Sequence, residues 1–243
     1  MHFTSEQRLD DGVLERGFTL GEIPGILWTS DSVRNPAPLI LVGHPGGLDM
    51  MYPRLAARAR HAVGEGFAAA TIELPGSGVR PRSAVAEQAR ADLRRALAAG
   101  DPVDDEIIDR LVLPLVDMSV PEWQGALDAL LTLPEIGGPV GFSGGVISIG
   151  VRLAVVDPRI SAALLFAGSF VPRSILEEAR RLTIPLLVLL QWDDEWNDRQ
   201  MALDLFDAFG SSEKTLHANM GGHTGVPEFE GDAGNRFFAR HLK

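Results

Sequence analysis

The chain has 243 residues, 45% hydrophobic and 23% charged, the balance of an ordinary globular protein with room for one large core. Its 22 basic residues against 33 acidic give a net charge of -11, a surface that repels phosphate backbones and excludes a general nucleic-acid binder. It contains no cysteine, which excludes disulfides, thiolate nucleophiles and thiolate metal sites.

No apolar run reaches the length of a membrane span, so no membrane partner is expected. The opening Met1-His2-Phe3-Thr4-Ser5-Glu6 lacks the basic and apolar regions of a secretion signal, and the expected location is cytoplasmic.

Along the chain, the first 37 residues read as an antiparallel β start. Gly12–Leu20 and Ile23–Trp28 alternate loosely around Gly21-Glu22, a hairpin pattern. Leu39–Val42 is a continuous apolar run, as in a strand buried on both faces. A helix is expected over Tyr52–Glu65, and a second buried strand over Phe67–Ile72, closed by the turn-forming Glu73-Leu74-Pro75-Gly76-Ser77-Gly78.

Two helices are then expected, Ser83–Ala99 with Val85, Ala89, Leu93 and Leu97 at spacing four, and Asp104–Met118, opened by acids and striped with Ile107, Ile108, Leu111, Val112, Leu115 and Val116. Pro114 is expected to bend or restart the second. Val120–Leu133 reads as a separate helix, with Ser119 and Glu122 spaced as a capping box.

Strand and helix alternate to the end: strand Pro139–Phe142, helix Val146–Val156, strand Ala162–Phe166, helix Ser174–Arg181, strand Pro185–Leu190, helix Arg199–Phe209, strand Lys214–His217 and helix Glu228–Leu242. Such alternation implies an α/β fold: a mostly parallel, doubly wound sheet with helices on both faces, preceded here by an antiparallel N-terminal hairpin. The expected organisation is a single domain over 1–243 with a small helical insertion at about 83–118. An insertion after a strand sits at the carboxyl edge of the sheet, where such folds bind ligands, so this one is a candidate lid. A flank of the domain or a homodimer contact would use the same apolar stripe.

The segment Val140-Gly141-Phe142-Ser143-Gly144-Gly145 carries the chemistry. It reads G-x-S-x-G between a strand and a helix, the pattern of a nucleophile elbow. Such an elbow holds its serine in a strained backbone conformation with the hydroxyl exposed. Gly141 and Gly145 are expected where a side chain would collide with the neighbouring strand and helix. Three further features agree with it. The strand Pro185–Leu190 is followed by Gln191-Trp192-Asp193-Asp194-Glu195-Trp196, which offers an acid. Gly221-Gly222-His223 follows the last strand. Gly43-His44-Pro45-Gly46-Gly47 follows the strand Leu39–Val42 and frees backbone amides for an oxyanion hole. The order of serine, acid and histidine is that of the α/β-hydrolases.

On these residues the chain resembles the α/β-hydrolase superfamily, most clearly over residues 38–243. Within it the chain is similar to dienelactone-hydrolase-like and esterase- or peptidase-like bacterial members. Glu73-Leu74-Pro75-Gly76-Ser77-Gly78 resembles the superfamily's D-x-P-G-x-G turn. His44-Pro45-Gly46-Gly47 departs from the usual His-Gly opening, and a serine stands where true dienelactone hydrolases carry cysteine.

The resemblance implies a Ser-His-Asp triad. Ser143 is the nucleophile, and His223 the base, imidazole being the side chain that changes charge near neutral pH. The G-x-x-D pattern, with Gln191 in the glycine position, selects Asp194 over Asp193 as the orienting acid. The amides of Gly144 and of Gly46, with Gly47 the alternative, are expected to form the oxyanion hole. His44 is expected to make a structural hydrogen bond, and His2, His61, His217 and His241 to be solvated or structural. Glu195 is expected to be a solvated neighbour. Trp192, Trp196, Met50, Met51 and Tyr52 are expected either to pack or to touch substrate.

No metal cluster, dinucleotide fingerprint or P-loop is present in the sequence, so no cofactor and no metal are expected. The expected substrate is a small or medium carboxylic ester, a lactone or a thioester, cleaved through an acyl-enzyme. The alternatives are an amidase- or peptidase-like hydrolase, an acyltransferase, or a non-catalytic binding protein with the same fold.

Overall fold

A computed structural model of the chain describes residues 1–9, 11–32 and 36–243. Residues 10 and 33–35, within the expected N-terminal β region, lie outside the described residues. The strands are β1 (His2–Arg8), β2 (Val13–Leu20), β3 (Ile23–Ser30), β4 (Ala37–Gly43), β5 (Ala68–Ile72), β6 (Ile136–Gly144), β7 (Ile160–Phe166), β8 (Leu186–Gln191) and β9 (Lys214–Asn219). The helices are α1 (Leu48–Gly64), α2 (Ala84–Ala99), α3 (Asp105–Leu130), α4 (Ile147–Val156), α5 (Arg173–Ala179), α6 (Arg199–Ala208) and α7 (Phe229–Leu242).

All the strands join one sheet in the order β1-β2-β3-β5-β4-β6-β7-β8-β9. From β5 to β9 the pairing is parallel, while β1, β2 and β3 are antiparallel to one another and β3 runs antiparallel to β5. The mostly parallel α/β sheet with an antiparallel N-terminal hairpin is therefore present. Beyond the expected hairpin lies β1, whose residues are almost all exposed. An edge strand with both faces wet carries no hydrophobic alternation to mark it.

Alternation along the buried strands sorts side chains into two layers. One face of the sheet, with Leu39, Leu41, Phe142, Leu165 and Val188, packs against α3 to α6. Trp123 of α3 meets Phe142 edge-on, ring centroids 6.0 Å apart. The other face, with Ile40, Val42, Leu164, Leu187 and Leu189, packs against α1 and α7.

The region between β5 and β6 differs from its expected form. The helices expected at Asp104–Met118 and Val120–Leu133 are one helix, α3, with Pro114 and Pro121 inside it. Proline removes one amide hydrogen bond and crowds the preceding turn, but does not forbid the helix when packing holds both sides. Here Val116, Val120, Trp123, Leu127 and Leu130 form a buried stripe across the junction. Ser119 is accordingly mid-helix and fully buried, not a cap, and Glu122 pairs with Arg80. The true caps are Ser83 for α2 and Asp104 for α3, whose side chains accept the amides of Ala86 and Glu106.

Candidate active site

Ser143 lies near the end of β6, paired in register with Val42 of β4 and Leu164 of β7. The glycines around it are sterically required. A Cβ on Gly141 would come within 2.6 Å of the Phe238 ring on α7, and one on Gly145 within 2.9 Å of the Gly43 backbone.

The turn itself is placed differently from the expected elbow. The positive φ angles fall on Gly144 (77°) and Gly145 (76°), and Ser143 continues the strand with only 7% of its surface exposed. Glycine adopts positive φ without the penalty of a Cβ, so the bend has moved past the serine. Helix α4 begins at Ile147. The serine side chain therefore points with Val42 and Leu164 toward the α1 and α7 layer.

There it meets Arg58 of α1. The Arg58 guanidinium donates from Nη2 to Ser143 Oγ (2.8 Å) and to the Ser143 carbonyl (2.9 Å), and from Nη1 to the Gly43 carbonyl (3.3 Å). Burial lowers its pKa to about 10, which leaves it charged at neutral pH. Nothing in the local sequence marked this arginine, which stands on a helix among Arg54 and Arg60.

The acid and the histidine come together on the loops after β8 and β9. His223 Nδ1 donates to Asp194 Oδ2 (2.9 Å) and Oδ1 (3.1 Å). That bond fixes the imidazole tautomer in which Nε2 is the free acceptor. Asp194 also accepts from the amides of Trp196 and Asn197 and from the Asn197 side chain. Burial pushes its carboxyl up, but the hydrogen bonds from Asn197 and His223 outweigh this and hold it below the ordinary carboxylate range. Asp193 has no hydrogen bond to His223 among the described residues.

Glu195 is no bystander: its carboxylate accepts the His223 amide at 3.0 Å, the foremost cause of its lowered pKa. Asn197 further accepts from the Ser169 amide and hydroxyl, tying the acid loop to the loop after β7. Asn197 was missed because its role depends on contacts between distant loops.

The loop carrying Gly46 is braced from the β5 side. His44 is buried, donates from Nε2 to the Ile72 carbonyl at 2.8 Å, and has its pKa lowered by burial. The buried Glu73 carboxylate accepts the Leu48 amide at the start of α1. A carboxylate at a helix N-terminus is favoured both as acceptor and by the helix dipole. Tyr52 donates to Glu15, which also accepts from Trp28, so it packs. His217 pairs with the buried Glu230 at 2.8 Å, and His61 with Asp232 at 3.2 Å.

Ser143, Asp194, Asn197 and His223 share one cavity of about 760 Å³, walled below by Arg58 and by apolar side chains of the sheet. Ser143 Oγ and His223 Nε2 share no hydrogen bond, the serine being held by Arg58. Met51 reaches the cavity wall, but Trp192 and Trp196 do not. Trp196 lies beside the His223 ring, 67% exposed. None of residues 83–118 belongs to the wall. No group of His, Asp and Glu among the described residues has the arrangement of a metal site.

No family model and no curated protein matches the chain. Solved structures do. A cold-adapted esterase from an Arctic intertidal metagenomic library, in its polyethylene-glycol-bound form, is 28% identical with a TM-score of 0.78, each chain covered completely. A putative dienelactone hydrolase from Klebsiella pneumoniae shares the fold at 14% identity and a TM-score of 0.65, covering 93% of this chain and 97% of that one. An acetyl xylan esterase from Paenibacillus does so at 14% and 0.63, covering 99% and 88%. With a likeness to an esterase that spans the whole chain, the protein is a hydrolase of the α/β-hydrolase superfamily.

Proposed function

We propose that the protein hydrolyses a small or medium carboxylic ester through an acyl-enzyme on Ser143, with His223 as base and Asp194 as the acid that orients it. The observation that carries the reading is the Asp194–His223 pair facing the same cavity as Ser143, with Nε2 left free. The full-length likeness to a cold-adapted esterase supports ester over amide chemistry.

The reaction begins when the Ser143 hydroxyl exchanges Arg58 for His223. Glycines at 144 and 145 leave the backbone free to follow that rotation. His223 Nε2 takes the hydroxyl proton as Oγ bonds the ester carbon, and the carbonyl electron pair moves onto oxygen. The amides of Gly46 and Gly144 receive that oxyanion. Collapse breaks the bond to the alcohol, which leaves with the proton from His223. Water repeats the sequence, giving up its proton to Nε2, releasing the acid and restoring Ser143.

Ser143→Ala tests the reading. Turnover of p-nitrophenyl butyrate is expected to fall by about 10⁴ or more with the circular dichroism and melting curve unchanged. Near-wild-type turnover by the folded variant would sink it.

A further inference from the structure

Much of the wall of the cavity beneath Ser143 is apolar, yet two polar side chains in it leave hydrogen-bonding capacity unused. The first is Arg58. Its hydrogen bonds go to two carbonyls and the serine, and among the described residues no carboxylate lies within ion-pair distance of it. Among the described residues its Nε–H and one Nη1–H make no hydrogen bond. The second is Gln191, at the end of β8. It is 5% exposed, and among the described residues neither Nε2 nor Oε1 of its amide has a hydrogen bond.

Strand geometry aims both into one space. Leu187 and Leu189 of β8 face the α1 and α7 layer, so Gln191 does as well. It stands two strands from Ser143, about 10 Å across the sheet, and four residues, about 13 Å, further along it, because Ser143 is level with Leu164 and Leu187. Phe166 of β7 lies between them, with the Arg58 guanidinium 5.8 Å from its ring centre. Arg54, one turn before Arg58 on α1, borders the cavity from the exposed side and makes no ion pair among the described residues. Like charges at that spacing disfavour the helix.

The acids of the wall are otherwise engaged. Asp194 serves His223 and Asn197, and Glu230 serves His217 and Asn219. Glu228 is at the exposed rim. A half-buried cation and a buried amide donor, both lining the cavity that holds the nucleophile, are complementary to an anion with two acceptor oxygens.

We propose that the acyl chain of the substrate ends in a carboxylate, held by the open N–H groups of Arg58 and by Gln191 Nε2. The substrate class is thus the short half-ester of a dicarboxylic acid. Arg58 already touches Ser143 Oγ, so the carboxylate would lie a few carbon–carbon bonds from the ester carbon. The inference rests on the ester-hydrolase reading and narrows it to one substrate class.

The test compares p-nitrophenyl hydrogen glutarate with neutral p-nitrophenyl valerate, which matches it in chain length. Wild type is expected to favour the charged ester in kcat/KM by about tenfold or more, through KM. Arg58→Met should abolish the preference and Arg58→Lys should retain part of it. Gln191→Leu should reduce it severalfold. A structural role for either residue would change both esters alike and leave the ratio in place.

Free glutarate, read by thermal shift, reports on the subsite without catalysis. It should raise the melting temperature of the wild type but not of Gln191→Leu or a folded Arg58→Met. Equal rates on the two esters, or a ratio that survives in both Arg58→Met and Gln191→Leu, would overturn the proposal. If neither ester is cleaved, the ester-hydrolase reading fails, and the glutarate shift alone decides the subsite: a shift confined to wild type upholds it, and none overturns it.

Discussion

Asp193 and Asp194 are adjacent acids with very different surroundings. Asp194 Oδ2 is 2.9 Å from His223 Nδ1, and its side chain is buried. Replacing it by Asn would exchange an acceptor for an amide that can force the wrong imidazole tautomer. On the proposed mechanism Asp194→Asn lowers kcat by about 10³–10⁴, the cost of losing the orienting acid in a triad. Asp193→Asn is expected to change kcat by less than about tenfold, and steady-state kinetics of the two variants check the ranking. At this scale the candidate serine, acid and histidine were legible because each sits at a fixed offset from glycines and strand ends. Arg58, Asn197 and Gln191 were not. Their roles come from contacts between α1, β6, β8 and the loops, which no spacing in the chain records.

The turn after β6 shows how an element depends on a single atom. At Gly145, φ is 76° and a Cβ would stand 2.9 Å from the Gly43 backbone and the His44 amide nitrogen. Gly145→Ala therefore meets both left-handed strain and an unyielding backbone neighbour, and is expected to cost about 2 kcal/mol or more in urea unfolding. Wild-type stability in that variant would contradict the tight turn. Helix α3 offers the opposite test. Pro114 is exposed within a continuous helix, so Pro114→Ala loses no packing and regains an amide donor. It should raise stability by about 1 kcal/mol or more, read as a higher denaturant midpoint. A lower midpoint would mean that the proline is needed to shape the helix. The buried central strands were readable as short apolar runs. The merger of two helices into α3 was not, because proline is a strong local stop signal and the packing that overrides it comes from strand β6 and helix α4.

For the whole molecule, a net charge of -11 accompanies arginine–carboxylate pairs that tie neighbouring helices and loops to one another. Asp157, after α4, is the most enclosed of these acids, at 2% exposure. It accepts from Arg159 Nη2 at 2.6 Å and Nε at 2.8 Å. The hydrogen bond from Arg159 is the main cause of its lowered pKa. A carboxyl whose pKa is lower folded than unfolded contributes stability above the unfolded value, near 4, and that stability is lost as pH falls through the folded value. Asp157→Asn is accordingly expected to cost about 1–3 kcal/mol at pH 7, and the gap to wild type to shrink as pH drops below about 4. Thermal melts across pH 3–7 check both, and a gap independent of pH would mean that the loss is not electrostatic.

The sheet and its two helical layers bring Ser143 on β6 into one cavity with His223 and Asp194 on the loops after β9 and β8. The most direct test of that convergence is to treat the native enzyme with a fluorophosphonate and map the adduct by peptide mass spectrometry. The account predicts one adduct, on Ser143, with loss of esterase activity in proportion to labelling and protection by Ser143→Ala or His223→Ala. An enzyme that hydrolyses esters but carries no adduct on Ser143, or carries it on another serine, would contradict it.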